Sequence, residues 1–275
     1  MLEIPESQVL AAQICATLAG KTISGALAAA SPHGLAWYSG DPAAYGEMLV
    51  GHTLTEARAL GGQVEMWAGP LRLLLQDGIN ARYFKPGDAL PDRHQLLLNF
   101  SDGSALTCTV QMYGGMTLYE EGANDDPYYL AACSKPNPLT EDFSEEHFAA
   151  LIRSGGPKLS VTALLATEQR IPGLGNGCLQ DILFAARVNP QTKMMALRDG
   201  DMLAIFDSVK QTLRAMTDGG GRDTEKDLFG QVGGYATILS NKTYGRPCPL
   251  CGGGIIRKSY LGGNVYFCPA CQPLL

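Results

Sequence analysis

The spacing of apolar side chains changes twice along this chain. Over residues 8–18, QVLAAQICATL is alanine-rich with apolar positions at helical intervals, which predicts an early helix. The period then shortens: QVEMWAG, LRLLLQDG, NARYFKPG, QLLLNFSDG and SALTCTVQ are strand-length runs punctuated by Gly, Asp and Pro. From residue 144 it lengthens again. SEEHFAALIRS opens on a Ser N-cap and an acidic first turn, and LSVTALLATEQR has Ser160 as its cap. CLQDILFAARVNP is stopped by Asn189-Pro190, and a fourth helix spans about residues 199–216 before DGGG. Near the end, IIRKSY and NVYFC flank LGG as two strands of a hairpin. A block of strands followed by a block of helices indicates an α+β protein.

At 275 residues and 45% hydrophobic, the chain can bury a substantial core. Its apolar runs are broken within a few positions, far short of the ~18 to 20 residues of a membrane span. MLEIPESQ is acidic and lacks the basic start of a signal peptide, so a cytoplasmic protein is expected. In that compartment cysteines stay reduced, which favours metal binding over disulfides for paired cysteines. The net charge of −6 argues against a nucleic-acid partner, but it hides an asymmetry. Residues 1–150 carry 7 Lys and Arg against 18 Asp and Glu, whereas residues 151–275 carry 14 against 9. Any polyanion binding is therefore expected in the second half, the other reading being chance segregation of surface charge.

The tail GRPCPLCGGGIIRKSYLGGNVYFCPACQ carries Cys248-x2-Cys251, sixteen residues, then Cys268-x2-Cys271. Each pair brings two thiolates to one ion from a single tight turn, and the hairpin joins the pairs into a four-cysteine zinc ribbon. No histidine or carboxylate is spaced to leave an open position, so one structural Zn2+ is expected. Arg246, Arg257 and Lys258 make the ribbon locally basic. The other cysteines, Cys15, Cys108, Cys133 and Cys178, sit among apolar or small residues and read as packing positions. His33, His52, His94 and His147 fit no ligand or base spacing.

Between the second and third helices lies GLGNG, residues 173–177. It follows a helix, not a strand, which weakens a dinucleotide-fold reading. One reading aims the amides of Gly175, Asn176 and Gly177 outward at a phosphate; the other is a plain glycine-rich turn.

EQRIPGLGNGCLQDILFAARVNP resembles the helix–two-turns–helix of the formamidopyrimidine-DNA glycosylase and endonuclease VIII family, and YGRPCPLCG…YFCPACQ resembles its terminal zinc finger. GGYATILSNKTYGR between them is also similar, and MLEIPESQ resembles the family's opening Met-Pro-Glu-Leu-Pro-Glu. The resemblance implies an N-terminal β-sandwich with a leading helix (1–135), a helix–two-turns–helix domain (144–240) and a zinc ribbon (245–275). It also implies a monomer holding damaged or abasic double-stranded DNA in the cleft between its halves. The implied activity is base-excision repair by a bifunctional DNA glycosylase/AP lyase acting on oxidised bases or abasic sites.

In the family the amine of an N-terminal proline attacks the sugar and the next glutamate moves protons. Here Leu2 replaces that proline, Met1 carries the nearest α-amine, and Glu3 and Glu6 match the two family glutamates. These four are the catalytic candidates. The family's phosphate-gripping lysine falls on Gly62, and its finger arginine near Gly263 or Asn264. Its Met, Arg and Phe wedge falls on Ile79, Met112 and Tyr113. The damaged base would enter beneath a loop over about residues 218–235. Three readings stay open: the enzyme, a catalytically silent damaged-DNA binder, and a zinc-stabilised scaffold for RNA or protein.

Overall fold

The computed structural model describes all residues, 1–275. Helix α1 (Ile4–Leu18) begins four residues before the predicted start. Pro5 sits in its first turn, where a missing amide costs nothing.

Eleven strands and six further helices follow. They are β1 (Ile23–Ala28), β2 (Ala36–Tyr38), α2 (Tyr45–Leu49), β3 (Leu54–Leu60), β4 (Gln63–Ala68), β5 (Leu71–Gln76), β6 (Ile79–Phe84), β7 (Leu96–Phe100), β8 (Ala105–Val110), β9 (Gly114–Glu120), α3 (Pro127–Ser134), α4 (Glu145–Gly155), α5 (Val161–Ala166), α6 (Asn176–Ala185), α7 (Asp199–Asp218), β10 (Ile256–Tyr260) and β11 (Gly263–Phe267). The first nine strands form two sheets, ordered β1-β7-β8-β6 and β2-β9-β5-β4-β3. All pairings are antiparallel except that of β2 with β9. The alternation Leu96, Leu98, Phe100 turns one face of β7 into the core. Central β5 is buried on both faces, which is why LRLLLQ shows no alternation of apolar and polar positions. The apolar face of α1, through Leu10, Ile14 and Leu18, joins the same core.

A second core gathers α4, α5, α6 and α7 around Phe143, Leu164, Ile182 and Val209. Helix α5 ends at Ala166, short of the predicted stretch to Arg170. Glu168 and Gln169 adopt φ of 57° and 47°, which breaks the helix and starts the first of the two turns. A small third core of Phe184, Leu239, Cys248, Tyr266 and Cys268 seats the ribbon hairpin β10–β11. Leu261 and Gly262 at φ 49° and 78° supply the left-handed pair that a two-residue hairpin turn requires.

Two segments cross between the halves. Ile4 leaves α1's own sheet and is buried in the helical core. Residues 219–243 return the other way. Leu228 is buried in the sandwich core, its amide donating to Gln13 Oε1 at 3.0 Å and its carbonyl accepting from Tyr83 at 2.9 Å. No helix is long and apolar enough to cross a membrane.

Candidate functional site

A cleft of about 580 Å³ lies where the N-terminus, the sandwich, the two turns and the ribbon tip converge. Met1, Leu2, Glu3, Met112, Tyr113, Gly175 and Asn176, all singled out in the sequence, line it together with Gly62, Asp77 and Gly263. No Lys or Arg does. Burial and the neighbouring Asp126 raise the Asp77 carboxyl above its ordinary range.

Glu3 is buried beneath this cleft, and its carboxylate is fully occupied. It accepts the amides of Gly175 at 3.2 Å, Gly177 at 2.9 Å and Cys178 at 2.8 Å, and Arg222 Nη1 at 3.3 Å. Burial alone would raise its pKa; Arg222 and the amides of Cys178 and Gly177 outweigh that and hold it below the usual carboxylate range. Glu3 thus places a negative charge on the N-terminus of α6, not on the dipole of its own helix. The expectation that Gly175, Asn176 and Gly177 all aim amides outward is corrected here. Two of the three amides point inward to Glu3, because a buried carboxylate needs donors that water cannot supply. Only the Asn176 amide is bonded to no acceptor in the chain. Cys178 is buried, and burial raises its thiol well above the ordinary range, in line with a packing role.

Glu6 is held by the same arginine. Its Oε1 accepts Arg222 Nε at 2.9 Å and the Arg222 amide at 3.1 Å, and its Oε2 accepts Nη2 at 2.7 Å. Arg222 therefore ties the first turn of α1 to the loop after α7 through a bidentate pair. That loop also carries Glu225, whose Oε2 lies 2.6 Å from the Met1 α-amine. Met1, Glu6, Ile79, Arg82, Arg222 and Glu225 line a smaller pocket that meets the cleft at Met1. On the far side of the loop, Asp181 in α6 accepts the amides of Ile238 and Leu239 at 2.9 and 2.8 Å. Burial pushes its carboxyl up to about 6.

The ribbon is clasped to α6. Asn176 Nδ2 and Gln180 Nε2 both donate to the Asn264 carbonyl, at 2.8 and 3.0 Å, and Gln180 Oε1 accepts the Tyr266 amide at 2.9 Å. The sulfurs of Cys248, Cys251, Cys268 and Cys271 lie within 4.8 Å of one another, with pairs at 3.8 and 3.4 Å. Sulfurs about 2.3 Å from a tetrahedral zinc are about 3.8 Å apart, so the cluster is positioned to hold a metal ion.

Three expectations fare differently. Ile79 is 2% exposed and packed in the sandwich core, so it cannot wedge into a duplex; as the first residue of β6 its side chain faces the sheet interior. Met112 and Tyr113, in the turn between β8 and β9, are exposed at the cleft. At Gly62 the space is closed as well as uncharged. A Cβ there would lie 2.9 Å from the Leu2 carbonyl oxygen and 3.2 Å from Gly173 Cα. Arg246, Arg257 and Lys258 are exposed on the ribbon but outside the cleft lining. Arg257 bonds Asn264 Oδ1 and Lys258 bonds Gln191 Oε1.

Sequence reading missed Arg222 and Glu225. Both stand in the stretch GRDTEKD, where no spacing relates them to residues 1–6.

No family model matches the chain. Among curated proteins it is 32% identical over 217 residues to the formamidopyrimidine-DNA glycosylase of Geotalea uraniireducens, covering 76% of this chain and 77% of that one. With the protein of the same name from Cytobacillus firmus the identity is 25% over 285 residues, covering 99% of this chain and all of the relative. Among solved structures, that of Lactococcus lactis Fpg (MutM) with N7-benzyl-Fapy-dG-containing DNA superposes with a TM-score of 0.85 at 22% identity, covering 98% of this chain and 99% of that one. MutM (Fpg) of Thermus thermophilus does so with 0.82 at 20%, covering 99% of both. With 32% identity across about three quarters of both chains, and likenesses to the same family over nearly the whole length, the chain belongs to the formamidopyrimidine-DNA glycosylase family.

Proposed function

We propose that the protein is a base-excision DNA glycosylase with AP-lyase activity that takes damaged or abasic duplex DNA into the cleft between its halves. The observation that carries this reading is the Met1 α-amine, set where the cleft meets the inner pocket and 2.6 Å from the Glu225 carboxylate. Family membership supports the reaction class, and relatives' structures contain abasic-site and Fapy-dG DNA.

The anomeric carbon is inaccessible inside the stack, so the nucleotide must be extruded. At an abasic site in its ring-opened form, the Met1 ammonium passes a proton to Glu225, and the freed lone pair attacks the C1′ aldehyde. A second proton moves from the attached nitrogen to the carbonyl oxygen, giving a carbinolamine. Glu225 then returns its proton to the departing hydroxyl, water leaves, and a Schiff base remains. Water takes a C2′ proton as the C3′–O bond breaks, and the 3′ phosphate leaves with that oxygen and its electron pair, which completes strand scission. Glu3 has no free lone pair directed at the cleft, so its part is to position α6 and Arg222. Asn176, with its unpartnered amide, and the ribbon cations Arg246, Arg257 and Lys258 serve the phosphate backbone. One zinc ion on Cys248, Cys251, Cys268 and Cys271 holds the ribbon and takes no part in the chemistry.

Borohydride trapping on a duplex with one abasic site tests this. The expected result is a covalent adduct that mass spectrometry maps to the N-terminal peptide and that blocking the terminal amine abolishes. No adduct, or one indifferent to blocking, overturns it. The cation-free cleft favours a second reading, a silent binder of damaged duplex, which predicts selective binding to the same duplex with no adduct.

A further inference from the structure

Four titratable groups line the cleft: the Met1 amine, Glu3, Asp77 and Tyr113. Strand scission needs one group to hold the C2′ proton in the end, and three of the four are engaged otherwise. The Met1 nitrogen carries the Schiff base, with Glu225 of the inner pocket at 2.6 Å as its counter-ion. Glu3 accepts three amides and Arg222. Burial and the nearby Asp77 push the Tyr113 phenol up, so it keeps its own proton. Asp77 remains.

Asp77 and Gly78 make the turn between β5 and β6. Three backbone bonds fix it. The Leu2 amide donates to the Asp77 carbonyl at 2.8 Å, the Gly78 amide to the Tyr113 carbonyl at 2.9 Å, and the Gln111 amide to the Gly78 carbonyl at 3.1 Å. The turn is thereby joined to the segment that carries the reacting amine. Asp77 itself holds φ of 57°, a left-handed conformation that Asp and Asn tolerate better than most residues. Its side chain is half-buried in the cleft wall, where neither a donor nor a cation meets the carboxylate. The charged group facing it is Asp126, which accepts the Tyr128 and Tyr129 amides at 3.0 and 2.9 Å at the start of α3. Burial and that neighbour make the Asp77 carboxylate a stronger base than usual. An unpaired carboxylate in a cation-free cleft repels the phosphates of a duplex. Such a group weakens binding and is of use only if it takes a proton.

We propose that Asp77 is the final proton acceptor of the elimination, set beside the N-terminal segment by the turn between β5 and β6. The water that takes the C2′ proton gives one of its own protons to the Asp77 carboxylate. The C2′–H electron pair becomes the C2′–C3′ double bond, and the 3′ phosphate leaves with its oxygen and the C3′–O pair. The proton on Asp77 passes to solvent when the product departs. This rests on the proposed Schiff-base chemistry and assigns its second half, as Met1 and Glu225 carry the first.

The test follows single turnovers on a duplex with one abasic site and times two events, formation of the borohydride-trapped adduct and strand scission. Asn and Gly both accept the left-handed backbone, so the variants are Asp77→Asn and Asp77→Gly. In each, trapping is expected to stay within about a factor of three of wild type while scission slows by about a hundredfold, so that uncut adduct accumulates. A role confined to holding the turn would slow both events together. Equal slowing of trapping and scission, or scission at the wild-type rate in either variant, overturns the assignment and leaves the glycosylase reading in place. If wild-type protein forms no adduct, both fall together.

Discussion

Glu3 and Cys178 meet across 175 positions of chain, the carboxylate accepting the Cys178 amide at 2.8 Å. With Arg222, this bond fastens the N-terminal segment to the helix that follows the two turns. Removing the carboxylate leaves three amides at the N-terminus of α6 and one nitrogen of a buried guanidinium unpaired. Glu3→Ala is therefore expected to lower the unfolding free energy by about 3–5 kcal/mol, measured by chemical denaturation.

The pH dependence of that contribution has a definite sign. The folded-state pKa of Glu3 lies below its ordinary value of 4.5, so its stabilisation is fully present above pH 4.5. It is lost as the pH falls through the lower folded value. The stability gap between wild type and Glu3→Gln is expected to be constant from pH 7 to 5 and to narrow below that. A gap that widens on acidification contradicts the assignment.

Glu225 gives the sharpest kinetic test. Glu225→Gln keeps the shape of the pocket and removes the proton acceptor beside Met1. Trapping on abasic duplex is expected to slow by about a hundredfold while binding of the same duplex stays within about a factor of three.

Stripping the metal should unfasten the ribbon and little else. Its small core includes Cys248 and Cys268 themselves, so without the ion the hairpin has almost nothing to pack on. Hydrogen exchange is expected to lose protection at Tyr266, whose amide Gln180 accepts, and to keep it in β5. Duplex binding should fall with it.

The absence of cations from the cleft predicts a shallow salt dependence. Three ribbon cations at full engagement give a slope of log K against log salt no steeper than about −3. Gly62→Lys is not a simple remedy. Its Cβ would press on the Leu2 carbonyl at 2.9 Å, so the variant is expected to lose about 1–3 kcal/mol of stability.

Much of this was open to a reader of the sequence. The runs QVEMWAG, LRLLLQDG and QLLLNFSDG became β4, β5 and β7 because strand alternation and turn residues are local properties. Ser144 and Ser160 cap α4 and α5 as their positions suggested, each bonding an amide three residues on. The four cysteines converge because two-residue spacings and a hairpin leave them little choice. Ile79 went the other way: at the start of a strand, the choice between core and cleft is a single 180° alternation, and nothing in INARYF reveals which face is covered.

The chain by itself determined seven of its eleven strands, five of its seven helices, its ribbon and the family it resembles, since each depends on residues a few positions apart. Only the tertiary structure decided that Glu3 caps a distant helix, that Arg222 joins two glutamates and that Glu225 reaches the terminal amine. Those pairings join segments up to 224 positions apart, and spacing along a chain carries no information about which buried charge will find which partner.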